Sequence, residues 1–246
     1  MDTQTRHALK KDKVAQATAS SVSWVSGHRS NVLRWVIAAL VLLAVAIAAL
    51  IFRTKRTDAA DNALGSALDV YSAPLATPGA PPEANTYTTA SDRSRAANKQ
   101  FLAVAQQYGW LPEGTKAHYF AGITSQELGQ TASAESELKI AAGSWDHNLA
   151  NLAKVALAAV YHQSARDPQA IDLYNQLTDH PTDAVPAGLA QLQLADLYTA
   201  EGKTDQAHKI YAQLKDKDKN AKGNPGPAGS LAAQKLNPGG PGGPQL

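Results

Sequence analysis

The chain has 246 residues, 44% of them apolar and 6% aromatic, with no cysteine; this is enough for one modest soluble domain with accessory segments. Scarce aromatics and abundant alanine suit thin, closely packed helices and argue against a β-sandwich, while the lack of cysteine removes disulfides, thiolate zinc sites, iron–sulfur clusters and cysteine nucleophiles. The formal net charge of +2 hides a segregation, since residues 1–34 carry six Lys and Arg against two Asp and Glu, whereas residues 57–220 carry 12 against 19, a balance that opposes phosphate backbones and excludes nucleic acid as a partner of that part.

Residues 1–30 read as a flexible basic tail, able to rest on anionic lipid headgroups. A transmembrane helix is expected over residues 31–53. Its centre, residues 35–52 (WVIAALVLLAVAIAALIF), is an uncharged run of 18 residues that as a helix extends about 27 Å, close to the hydrocarbon thickness of a bilayer. Trp35 stands where interfacial aromatics gather, and Arg34 can snorkel outward. A cleaved signal peptide fits poorly, because 34 residues precede the run and its A-x-A match, Ala46 to Ala48, lies inside it. Orientation stays open on charge, with Arg29 and Arg34 on one side and Arg53, Lys55 and Arg56 on the other.

Residues 57–220 are expected to form tetratricopeptide-like helix-turn-helix repeats, interrupted by a Pro-rich insert at about 73–89. Alanines 134, 170 and 207 recur at intervals of 36 and 37 residues, near the period of such arrays. Ala97 and Phe101 mark a preceding half-repeat. Antiparallel helices approach closely only where the crossing residue is small, and Gly122 with Ala134, Ala158 with Ala170, and Ala195 with Ala207 supply those pairs. Gly129 and Gly202 fall where a positive φ costs glycine nothing. Asp167-Pro168 is expected to make the second turn by another route, with Pro at a helix start. A single repeat cannot bury its apolar face, so stacking is the expected source of stability. The fold class is therefore all-α, an α-solenoid behind one transmembrane helix. The alternating charges from Lys215 to Lys219 read as a solvated helix end, and residues 221–246, rich in Gly and Pro, read as a disordered tail.

No chemistry is expected: the chain reads as a non-enzyme with no cofactor and no metal. Gly202-Lys203-Thr204 suggests a phosphate loop, yet Leu197 stands where that motif needs glycine and no strand leads in. No two of the seven histidines have the i, i+4 spacing of a zinc helix. Glu135 and Glu137 are two apart on a helix and face different ways, and no serine lies in a G-x-S-x-G elbow.

A basic tail, one span, the segment RTDAADNALGSALDVY and degenerate repeats together resemble the YfgM-like bacterial family, ancillary to the SecYEG translocon. The resemblance runs from Asn31 to about Lys217, with the segment PLATPGAPP and the Gly/Pro tail as departures. It implies a single-pass inner-membrane protein with a cytoplasmic N-terminus and periplasmic repeats. Its implied partners, besides the lipid bilayer, are translocon components, periplasmic chaperones and unfolded client polypeptides. Carrying the groove positions of tetratricopeptide proteins onto this chain points to Tyr119, Ile123, Gln126, Leu152, Val155, His162, Leu189, Leu192 and Asp196. Their apolar members suit an extended apolar polypeptide; equally, Leu152, Val155, Leu189 and Leu192 can simply pack between repeats. An envelope or division-complex assembly factor that holds one folded partner is the alternative reading.

Overall fold

The computed structural model describes residues 29–76, 86–218 and 223–237, and the chain divides into two compact units, Met1–Arg56 and Thr57–Leu246. All regular structure among the described residues is helical. Most of the basic tail expected over residues 1–30 lies outside them.

Helix α1, Arg29–Ser72, is longer than the span expected from sequence. Its most apolar 18-residue stretch has a mean hydropathy of 3.0 with none of it buried, which makes α1 long and apolar enough to cross a membrane. Apolar side chains exposed on every side of a helix are unfavourable in water and favourable in lipid. The helix continues past Phe52 because nothing in RTKRTDAADNALGSALDVYS breaks it: the stretch lacks proline, and Ala60, Leu64 and Ala67 form an i, i+4, i+7 stripe. All three are buried.

In the second unit, the end of α1 is followed by α2 (Ala90–Tyr108), α3 (Pro112–Glu127), α4 (Thr131–Ala142), α5 (His147–Gln163), α6 (Asp167–Asp179), α7 (Ala187–Ala200), α8 (Thr204–Lys217) and α9 (Pro227–Leu236). From α2 onward each helix packs on the next, and α3 also touches α5. The buried residues gather into three clusters strung along the chain rather than one central core. The first contains Ala60, Ala67, Phe101 and Ala121, with Phe101 stacked on Phe120 at 5.2 Å and edge-on to Tyr71 at 6.1 Å. Ala97 and Phe101, where a half-repeat is expected, are thus buried together with Ala60, Leu64 and Ala67 of the end of α1.

Polar groups stitch this region. The buried Asn98 side chain donates to Ala121 O, Thr124 Oγ1 and Ser125 Oγ at 2.9 to 3.0 Å, while Glu127 accepts from Tyr71 and Ser94. Satisfying such groups avoids a desolvation cost of roughly 1–3 kcal/mol each.

The helix-turn-helix period is visible atom by atom. Gln130 N donates to Ser125 O, Arg166 N to Tyr161 O and Lys203 N to Tyr198 O, each at 2.8 Å. One residue earlier, Gly129 N, Ala165 N and Gly202 N donate three positions back at 2.9 to 3.0 Å. This double bond is the Schellman closure of a helix C-terminus, which needs a left-handed residue, and Gly129 (φ 69°), Ala165 (φ 56°) and Gly202 (φ 75°) provide it. The second turn therefore does not take another route; Asp167-Pro168 only starts the following helix, and Ala165 adopts the glycine conformation at a cost of about 1 kcal/mol. Replacing Ala165 by glycine should raise the unfolding free energy by about 0.5–1 kcal/mol, measured by urea titration; unchanged or lowered stability would contradict the strain at that turn.

The anchoring alanines 134, 170 and 207 are fully buried, as are Ala158 and Ala195. Gly122 makes its closest approach to Leu138, one turn beyond Ala134: a Cβ there would stand 2.5 Å from Leu138 Cγ. Consecutive hairpins are also tied by Glu135 on α4, which accepts from Lys139 Nζ and from Arg166 beyond α5, both at 2.6 Å. Arg166 lies over the Tyr161 ring at 4.6 Å. First the Arg166 bond and then the Lys139 bond hold the Glu135 carboxyl down at about 2. A folded-state pKa below the ordinary 4.5 contributes stability that is complete above about pH 5 and lost as pH falls toward 2. Glu135→Gln should remove about 1 kcal/mol of it, after allowance for solvent screening. Between pH 5 and pH 2 the melting temperature of the variant should accordingly fall less than that of the parent; parallel curves would refute this.

Two segments expected to be unfolded carry structure. At the edges of the insert, Leu75 and Tyr87 form an isolated parallel bridge, with Ala76 N donating to Tyr87 O at 2.9 Å and Tyr87 N to Pro74 O at 3.1 Å; residues 77–85 lie outside the described part. In the tail expected to be disordered, residues 227–236 are helix α9, packed on α8 and α7. Its small residues make that docking possible: Ala232 is fully buried, and at Gly229 a Cβ would lie 2.7 Å from Asp218 O. Asp218, in the alternating-charge run, accepts from Gly229 N through Oδ2 at 2.7 Å and from Gly226 N through its carbonyl at 2.7 Å. Leu214 and Tyr211, which would otherwise end the array exposed, lie in one buried cluster with Ala232. Residues 238–246 lie outside the described part.

Candidate functional site

The first helices of the three hairpins, α3, α5 and α7, carry the nine expected groove residues. Tyr119, Ile123, Leu152 and Val155 are half-buried and pack on the largest cluster, partly on α3 and partly on α5, two helices that touch. Each keeps part of its side chain accessible, and Gln126 is half-buried one turn further along α3. Leu192 differs: it is 5% exposed and belongs to the cluster with Ala195, Tyr211 and Leu214, so it packs between helices and offers nothing to a ligand. Leu189, at the first turn of α7, is 39% exposed and lies apart from the others.

His162 and Asp196 meet at a recess of about 210 Å³ lined by Ala159, His162 and Gln163 of α5, Tyr174 of α6, and Gln193, Asp196 and Leu197 of α7. His162 Nδ1 lies 2.6 Å from Asp167 Oδ1, which fixes the ring at the rim. Asp196 Oδ1 accepts from Tyr211 Oη at 2.6 Å and from Lys235 Nζ of α9 at 2.7 Å. Burial first, and then the Asp196 bond, push the Tyr211 hydroxyl up to about 12. Burial likewise raises Tyr174, helped by the Asp196 charge. Gln163 and Gln193 line the recess, and a glutamine amide offers two donors and an acceptor. Residues 159, 163, 174, 193 and 197 were missed by carrying over groove positions. Their signal was faint: Gln193 interrupts the apolar run LAQLQLADL, and Gln163 sits one residue before the turn.

The polar side chains of this recess can hydrogen-bond a ligand. Among the described residues, no group of three His, Asp or Glu is arranged to hold a metal. His118 is engaged by Glu137 at 2.6 Å. At the turn of Gly202-Lys203-Thr204 there is an open surface hollow of about 500 Å³. Lys203 there bonds Glu201 at 3.1 Å and lies over the Tyr198 ring at 5.7 Å, and the turn joins two helices, so it lacks the strand of a phosphate loop.

The chain matches no family model, no curated protein and no solved structure.

Proposed function

We propose that this chain is a membrane-anchored, tetratricopeptide-like scaffold that holds polypeptide segments on its repeat face, acting like a chaperone beside the Sec translocon of the bacterial inner membrane. The observation that carries the reading is the identical closure of three hairpins at intervals of 36 and 37 residues, Gly129, Ala165 and Gly202, which favours a stacked array with one repeating face. Helix α1 supports the tether. The half-buried wall of Tyr119, Ile123, Leu152 and Val155 supports an apolar segment of a client as occupant. Placement beside the translocon and a periplasmic repeat domain rest on the resemblance. The test is photo-crosslinking in cells from residues 152 and 193: capture of emerging chains, translocon subunits or periplasmic chaperones is expected, and their absence overturns the reading. A reporter fused after Leu214 that is active only in the cytoplasm overturns it too.

One observation favours the alternative, an envelope or division-complex assembly factor with a single folded partner. The recess sets the polar side chains Gln163, Gln193 and Asp196 beside Ala159 and Leu197, and fixed polar groups discriminate between partners better than an apolar wall alone. Binding to one defined folded protein, with none to unfolded chains, would select it.

A further inference from the structure

Six large apolar side chains remain exposed among the described residues after Thr57: Leu75, Trp110, Ile140, Trp145, Leu189 and Leu231. They are not spread evenly over the two ends of the helices. Tyr71, at the end of α1, is level with Arg93 and Glu127, the start of α2 and the end of α3. Ala60, Leu64 and Ala67, earlier in α1, are buried in one cluster with residues of α2 and α3; Thr57 precedes Tyr71 by 14 residues, about 21 Å of helix, so α1 runs antiparallel to α2 and Thr57 enters toward the end at which α2 closes. The pairs Ser125 with Ser133 and His118 with Glu137 set α4 antiparallel to α3. Glu135 with Arg166 does the same for α4 and α5. The connectors holding Trp110 and Trp145 therefore share the end at which Thr57 enters. Ile140 is in the last turn of α4, leading into the second connector, Leu189 lies in the first turn of α7 and Leu231 in the second turn of α9, and both helices start from that end as well. The turns at the opposite end present Gly129, Gln130, Arg166, Gly202 and Lys203; of the six, only Leu75 is found there.

Both tryptophans sit in short, bonded connectors. Trp110 is 61% exposed within a turn closed by Leu111 N donating to Tyr108 O at 2.8 Å. Trp145 is 98% exposed, between Ser144, whose N donates to Ala141 O, and Asp146, which caps α5 through Asn148 N and Leu149 N. Indole, with an apolar body and one N–H donor, is the side chain that partitions to the headgroup layer of a bilayer.

We propose that this end of the helical unit rests on the membrane surface, with Trp110 and Trp145 seated among the lipid headgroups. The inference depends on reading residues 35–52 as a membrane span. Its occupant follows from the tether: Thr57 comes five positions after Phe52, so even a fully extended chain places it within about 18 Å of the last apolar residue. The same end displays the exposed Asp179 and Asp183, so the contact is interfacial and does not call for anionic lipid. Docked this way, the unit leaves its side faces open to polypeptides.

The lack of cysteine allows a direct test. Full-length single-cysteine variants Leu42→Cys, Trp110→Cys, Trp145→Cys and Ala132→Cys, the last exposed at the far end, would carry an environment-sensitive fluorophore in phosphatidylcholine vesicles doped with nitroxide lipids. Labels at 110 and 145 should be quenched several-fold more than the label at 132, most strongly by headgroup nitroxides, whereas the label at 42 should respond to deep nitroxides. Quenching at 42 with none at 110 and 145 overturns the surface contact and leaves the span intact. A blue shift at 110 and 145 that grows with protein density without quenching assigns the tryptophans to a second copy and overturns it as well. An unquenched label at 42 removes the span itself, and the proposal with it.

Discussion

Replacing Gly122 by alanine should lower the unfolding free energy by about 1–3 kcal/mol, although alanine is the better helix former by about 1 kcal/mol. The added Cβ would stand 2.5 Å from Leu138 Cγ, 2.8 Å from its Cδ2 and 3.2 Å from its backbone N. Leu138 is fully buried and has nowhere to retreat, so α3 and α4 must separate. Leu138→Ala should cost about 2–5 kcal/mol by opening a cavity. In the double variant the new methyl enters the space that leucine left, so the combined loss should fall short of the sum by 1 kcal/mol or more, an interaction well above the usual error of such cycles of about 0.5 kcal/mol. Urea titration of the four proteins gives the answer. Additive losses would show that the helices do not meet at this pair.

Phe101→Ala should be as damaging, with a loss of about 3–5 kcal/mol. Its ring is wholly buried between α1, α2 and α3, stacked on Phe120 and edge-on to Tyr71, and each such aromatic pair adds about 0.5–1.5 kcal/mol beyond its buried area. The damage should also be local. The buried clusters follow one another along the chain, so amides of residues 60–71 should lose hydrogen-exchange protection before those of α7. Uniform loss of protection along the chain would mean that the unit folds as one cooperative block, and a loss under 1 kcal/mol would mean that Phe101 is not central to the packing.

These two sites also carry the functional argument. Gly122 sits beside Ile123, and Phe101 stacks on Phe120, next to Tyr119 on the apolar wall. On the proposed function, a variant at either position that folds should hold polypeptide less tightly than the parent; equal binding would separate the packing of the hairpins from the face they present.

Much of this molecule could be read directly from residue order. The run at 35–52 announces itself by composition alone, because apolarity on all sides of a helix requires no knowledge of a neighbour. The helical hairpins follow from periodicity, since alanines 134, 170 and 207 repeat with the helix pairs they join, and Gly129 and Gly202 mark left-handed turns that glycine permits most cheaply. Tertiary structure decided the rest. Ala165 takes the same turn despite its Cβ because the flanking helices are held by their own packing, which can outweigh a local strain of about 1 kcal/mol. Helix α9 forms in a Gly/Pro-rich tail because small residues fit against Asp218 and Leu214, a complementarity that composition does not contain. Leu192 and Gln193 could be told apart only by which side of α7 faces α8, and the common end of Trp110 and Trp145 only by the antiparallel order of the helices. Periodicity specifies which residues share a face; which neighbour covers that face is set by how distant segments meet.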